Sequence, residues 1–74
     1  MKCRYILLTT TGGEACRYGI AAVVEEDGVT VILESCIDLS PSRDEVERMV
    51  GLCNALDLAL DHFWDVVEDF VVIH

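Results

Sequence analysis

Apolar and polar positions alternate with a period of two over the first half of the chain and recur three and four apart over the second half, which predicts strands followed by helices. Residues 3–10, Cys-Arg-Tyr-Ile-Leu-Leu-Thr-Thr, are rich in branched, aromatic and threonine side chains, and they run into Thr11-Gly12-Gly13-Glu14, a two-glycine hairpin signal. A second strand is expected from Ala15 to Glu25. Asp27-Gly28 then supplies a second tight turn of the type that needs positive φ, and Val29 to Leu39 is the third strand. Three strands joined by two tight turns make an antiparallel meander.

The turns also fix a register. With Asp27-Gly28 as the loop, Glu26 pairs with Val29, and Cys16, Tyr18, Ile20, Ala22 and Val24 share one face with Leu39, Ile37, Ser35, Leu33 and Val31. With Gly12-Gly13 as the first loop, Cys3, Tyr5, Leu7 and Thr9 join that face. The opposite face carries Ile6, Leu8, Gly19, Ala21, Val23, Ile32 and Cys36 beside Arg4, Arg17, Thr30, Glu34 and Asp38. Val23 is expected opposite Ile32, and Arg17 opposite Asp38 as a cross-strand charge pair. An apolar centre inside a charged rim is the pattern of an interface.

Ser40-Pro41-Ser42-Arg43-Asp44-Glu45 starts a helix, either with proline at the first helical position after Ser40 or with Ser42 and Glu45 as a capping box. Val46, Met49, Val50, Leu52, Cys53 and Leu56 form its apolar stripe, opposite Glu47, Arg48, Gly51 and Asn54. Asn54 is suited to leave the helix in a left-handed conformation, or Leu56 continues it. In the last segment Leu60, Phe63, Val66, Val67, Phe70 and Val71 face Asp61, Asp65, Glu68 and Asp69 across a sharply amphipathic helix, with Trp64 at the edge of the apolar arc. The β-branched end, Val71-Val72-Ile73, frays or turns extended. The expected fold is α+β, one domain over 1–74, a three-stranded antiparallel meander with two helices packed on one face (βββαα).

With 74 residues the core is small, and a chain of this size gains its margin from a disulfide, a metal or a partner surface. The four cysteines form no Cys-x-x-Cys pair, and no His-x-x-x-His completes a zinc site. No secretory signal opens the chain and no apolar run reaches a membrane span. The cytoplasm is the expected compartment, with reduced thiols. Fourteen acids against five bases give a formal charge of −9, which repels nucleic acid and anionic membranes alike. Because 53% of residues are hydrophobic, the acidity belongs to a folded domain and not to a disordered tail. What remains is a partner surface, first of all a copy of the same chain.

Tyr18-Gly19-Ile20-Ala21 on the second strand, Cys53-Asn54-x-Leu56-x-Leu58, and His62-x-x-Asp65-Val66-Val67-Glu68-Asp69-Phe70 together resemble a family of small proteins of clostridia-like bacteria known only as a domain of unknown function. The resemblance covers most of the chain from the second strand onward. It implies no activity, cofactor or catalytic residue. The family usually has Ser-Pro where this chain has Ala59-Leu60, so this helix lacks the serine cap and is expected to start at Asp57 or Asp61 instead.

Three constellations could carry chemistry. Cys53, Asn54 and His62 could serve as a thiol nucleophile, an orienting amide and a base, but Cys53 lies in the middle of an apolar stripe, where a small buried thiol packs the core. Asp61, His62, Asp65, Glu68 and Asp69 could offer ligands to a divalent ion, with Asp61, His62, Asp65 and Asp69 the better candidates. One helix closes no coordination shell, so a solvated acidic face is the simpler reading. His62 is expected to bond a nearby carboxylate or carbonyl and brace the inter-helix connector, and His74 carries no signal. Gly12-Gly13 lacks the lysine of a phosphate loop.

The expectation is therefore a non-enzymatic, cytoplasmic protein-interaction module without cofactor, catalytic residue or committed metal site. It assembles as a homodimer through the second sheet face or an edge strand. Ile6, Leu8, Val23 and Ile32 are its interface residues, and Trp64 either packs between the helices or anchors a partner. An unknown protein partner would dock on the acidic helix surface. The alternative is a small-ligand or metal-binding regulatory domain that uses the acidic face of the last helix.

Overall fold

The computed structural model describes residues 3–13 and 15–73; Glu14 of the first turn and His74 lie outside them. Three strands, β1 (Arg4–Gly12), β2 (Ala15–Glu26) and β3 (Val29–Ser40), form one antiparallel sheet in the order β1-β2-β3. Two helices follow, α1 (Arg43–Ala55) and α2 (Phe63–Ile73), the second entered through a turn of 3₁₀ helix at Leu60–His62. The expected βββαα order is the observed one. Both helices cover the same sheet face, where Tyr5, Ile20 and Ala22 pack with Met49 and Cys53 of α1 and Phe63 and Val67 of α2. Tyr5 and Phe63 stack at 6.2 Å with their rings 8° apart.

The second hairpin is as its turn dictates. Asp27 and Gly28 both take positive φ, Glu26 pairs with Val29, and Val23 stands opposite Ile32. The first turn is centred one residue later than Gly12-Gly13. Gly12 pairs with Ala15, Gly13 takes φ of +62°, and Tyr5 meets Ala22 instead of Ile20. That slip is even, so the faces of β1 are unchanged.

Beyond Val23 the register of β3 departs from the expectation. Ala22 pairs with Glu34, so Leu33 is an extra residue, and a second irregularity of two residues falls between Cys36 and Ser40. One extra residue exchanges the faces. Glu34 and Cys36 turn to the helix side, and Ser35, opposite Ala21, turns to the outer side. There is room for this only because position 19 is glycine. A Cβ at Gly19 would lie 2.0 Å from the Cys36 carbonyl oxygen and 2.8 Å from the Ile37 Cα, so the β3 backbone folds across the outer side of β2 at this residue. Thr10 Oγ1 also donates to the Ile37 carbonyl at 3.4 Å.

Of the two helix starts, the one at Ser42 is used, and Pro41 lies before the helix, not at its first position. Ser42 is the N-cap, its hydroxyl accepting from Glu45 N at 3.4 Å, while Ser40 Oγ accepts from Ser42 N at 3.0 Å. At the other end the left-handed residue is Asp57 (φ +51°) and not Asn54. Leu58 N donates to Cys53 O at 3.0 Å and Asp57 N to Asn54 O at 3.1 Å, which closes α1 with a Schellman motif. Since Asp57 ends one helix, it cannot cap the next. The following turn starts after Ala59, with no side-chain cap, so neither Asp57 nor Asp61 opens α2. The C-terminal Val71-Val72-Ile73 stays helical.

Candidate functional site

Asn54 is neither the helix exit nor an orienting amide for Cys53; it has another task. Its Oδ1 accepts from Tyr5 N at 2.8 Å and its Nδ2 donates to Tyr5 O at 2.9 Å, so one side-chain amide takes the place of a neighbouring strand on the free edge of β1. The two residues are 49 positions apart, and no local pattern announces the contact. Tyr5 completes the tie, its hydroxyl donating to Leu58 O at 2.8 Å. Burial, with Cys3, Cys53 and Asp57 nearby, pushes the Tyr5 phenol well above its ordinary pKa of 10.

Cys53 is buried in the core, and that burial raises its thiol pKa, the reverse of nucleophile activation. Asn54 is occupied by Tyr5, and His62 is exposed, with Nδ1 3.4 Å from Asp65 Oδ2. Cys53, Asn54 and His62 therefore have separate partners and form no triad. His62 does meet a carboxylate beside the connector. Of the acidic strip, Asp61, Asp65, Glu68 and Asp69 are all exposed, and among the described residues no three His, Cys, Asp or Glu side chains converge as a metal shell would require.

The surfaces are more informative. On the outer sheet face Ile6 and Leu8 are half-buried, while Ile32 is 57% and Ile37 58% exposed. Val23, expected there as a contact residue, has 0% exposure and offers a partner nothing. Among the described residues, the charges on this face are paired. Arg4 Nη2 meets Glu25 Oε1 at 2.8 Å, and Arg17 Nε meets Asp38 Oδ1, the pair expected from the sequence. Exposed pairs such as these contribute only about 0–1 kcal/mol to stability, but each sets one base against one acid, so the described charges of the face balance.

Trp64 belongs to the opposite side. Its indole Nε1 donates to Glu34 Oε2 at 3.1 Å, and its ring meets Phe63 edge-on at 5.0 Å, so it links α2 to β3 with 49% of its surface exposed. It cannot share an interface with Ile6, Leu8 and Ile32. Also on the helix side, an open groove of about 360 Å³ runs between α1 and α2 over Met49, Leu52, Val66 and Phe70, rimmed by Glu45, Arg48 and Asp69.

Fold and surfaces define the class: a small two-layer α+β domain with a closed edge at Tyr5, a sheet face whose apolar residues lie among paired charges, and an acidic helix layer. No family profile, curated protein or solved structure matches the chain. Among the described residues, no helix is long and apolar enough to cross a membrane.

Proposed function

We propose that this protein is a non-enzymatic, cytoplasmic protein-interaction module that pairs with a second copy of itself through the outer sheet face. The observation that carries the reading is the charge of that face. A chain with a formal charge of −9 repels its copy over most of its surface. On the outer face, Arg4–Glu25 and Arg17–Asp38 cancel each other and surround Ile6, Leu8, Ile32 and Ile37, so two copies can meet there without setting acid against acid.

Area is sufficient. A stable interface takes roughly 800 Å² from each partner, and a slab of 37 × 26 × 16 Å with 5024 Å² of surface can supply that from one broad face. Pairing through the β1 edge is the weaker route, because Asn54 occupies that edge at Tyr5. Analytical ultracentrifugation tests the reading. The expected mass at micromolar concentration is twice 8.2 kDa, shifting to the monomer in Ile32→Glu. A wild-type monomer, or a dimer indifferent to Ile32→Glu, removes sheet-face pairing.

A further inference from the structure

We infer that the groove between α1 and α2 is a docking site for a basic amphipathic helix of a protein partner. The groove is built from helical stripes on both sides. Met49 and Leu52 lie three apart on α1, and Val66 and Phe70 lie four apart on α2, so the apolar floor runs along the helices. Leu52 is 60% exposed, an apolar side chain that neither helix covers. From Glu45 to Leu52 the α1 wall rises about 11 Å, two helical turns, the length over which a third helix presents side chains at i, i+3, i+4 and i+7.

Charge selects the occupant. Residues 43–73 carry eight Asp or Glu against two bases, Arg43 and Arg48, and Arg43 is bound to Glu47 at 3.1 Å. Glu45 and Asp69 stand at the groove itself, with Arg48 the base beside them. A second copy is a poor occupant because both of its helices carry the same excess of acid, and an anionic lipid surface is repelled for the same reason. A helix with leucine-like residues on one face and lysine or arginine on the other satisfies floor and rim together. This site is on the opposite side of the sheet from the self-pairing face, so the two can be occupied together.

The test uses the full chain and a fluorescein-labelled peptide of leucine and lysine patterned as an amphipathic helix, with a scrambled peptide of identical composition as comparison. Fluorescence anisotropy is expected to saturate with the patterned peptide, to weaken severalfold when salt shortens the Debye length from about 14 Å to about 6 Å, and to favour it over the scrambled one. Leu52→Gln is expected to weaken binding about tenfold, and Asp69→Asn to weaken it less and to flatten the salt dependence, with thermal unfolding unchanged in both. Ile32→Glu, which tests self-pairing, is expected to leave peptide binding unchanged. Equal affinity for the scrambled peptide, no effect of Leu52→Gln in a folded variant, or no saturable signal overturns the assignment.

Discussion

Gly19→Ala is the most severe single-methyl change that the fold offers. The added Cβ would stand 2.0 Å from the Cys36 carbonyl oxygen and 2.8 Å from both Ile37 Cα and its carbonyl carbon. All three are backbone atoms, so no side chain can rotate away. To restore ordinary contact, β3 must retreat by more than an ångström at the segment that carries its second register shift. Overpacking a core usually costs about 1–3 kcal/mol where side chains can adjust, and here the loss is expected at or above about 3 kcal/mol. A domain of this length has about 4–11 kcal/mol in total, and the corresponding drop in Tm is about 12–24 °C. Thermal and urea unfolding followed by circular dichroism measure it. Gly12→Ala, whose Cβ meets nothing within 4 Å, is the control. A fall in Tm below about 4 °C would falsify the close crossing of β3 over β2.

Gly51→Ala should have the opposite sign: the position is exposed within α1 and nothing lies within 4 Å of the new Cβ, so a gain of about 0.5–1 kcal/mol is expected in the same unfolding assay. Asn54→Ala removes both bonds to Tyr5 at a partly solvated edge, with an expected loss of about 1–2 kcal/mol and faster hydrogen exchange of the Tyr5 amide, against little change if water replaces the amide without cost. Alkaline stability follows from the raised pKa values of Tyr5 and Cys53. The folded state keeps both protons while the unfolded state releases them, so stability is intact below the unfolded values of 9.0 and 10.0 and falls as pH rises past them. Above pH 10 the Tyr5 contribution steepens by about 1.4 kcal/mol per pH unit. Tyr5→Phe should abolish that steepening, at a baseline cost of about 1–2 kcal/mol for the orphaned Leu58 carbonyl, as read from urea unfolding across the alkaline range.

The parts of the fold that were legible are those in which a local signal decides a local conformation. Asp27-Gly28 fixed its own hairpin and the Val23–Ile32 pair beside it, Ser42 capped α1, and the stripes of Met49 with Cys53 and Phe63 with Val67 face the sheet. Long-range ties were not legible. Nothing near Asn54 marks Tyr5 as its partner, and nothing near Trp64 marks Glu34. The bulged half of β3 lies between these cases. Val31-Ile32-Leu33 is continuously apolar, so either parity can follow it, and strict alternation wrongly assigned Glu34 and Cys36 to the outer face. A glycine inside β2 was the available signal, since an interior strand glycine marks a bulge or a close backbone approach. That exchange of faces bears directly on function. With strict alternation, Glu34 would sit uncompensated among Ile6, Leu8 and Ile32, and Ile37 would point to the helices. The extra residue at Leu33 instead sends Glu34 to the Trp64 indole and leaves Ile37 exposed on the outer side, where Arg4 and Arg17 are matched by Glu25 and Asp38. The bulge thus removes an acid from the outer face, so Gly19, which makes room for β3 to fold across β2, supports the charge balance on which the proposed self-pairing rests as well as the core.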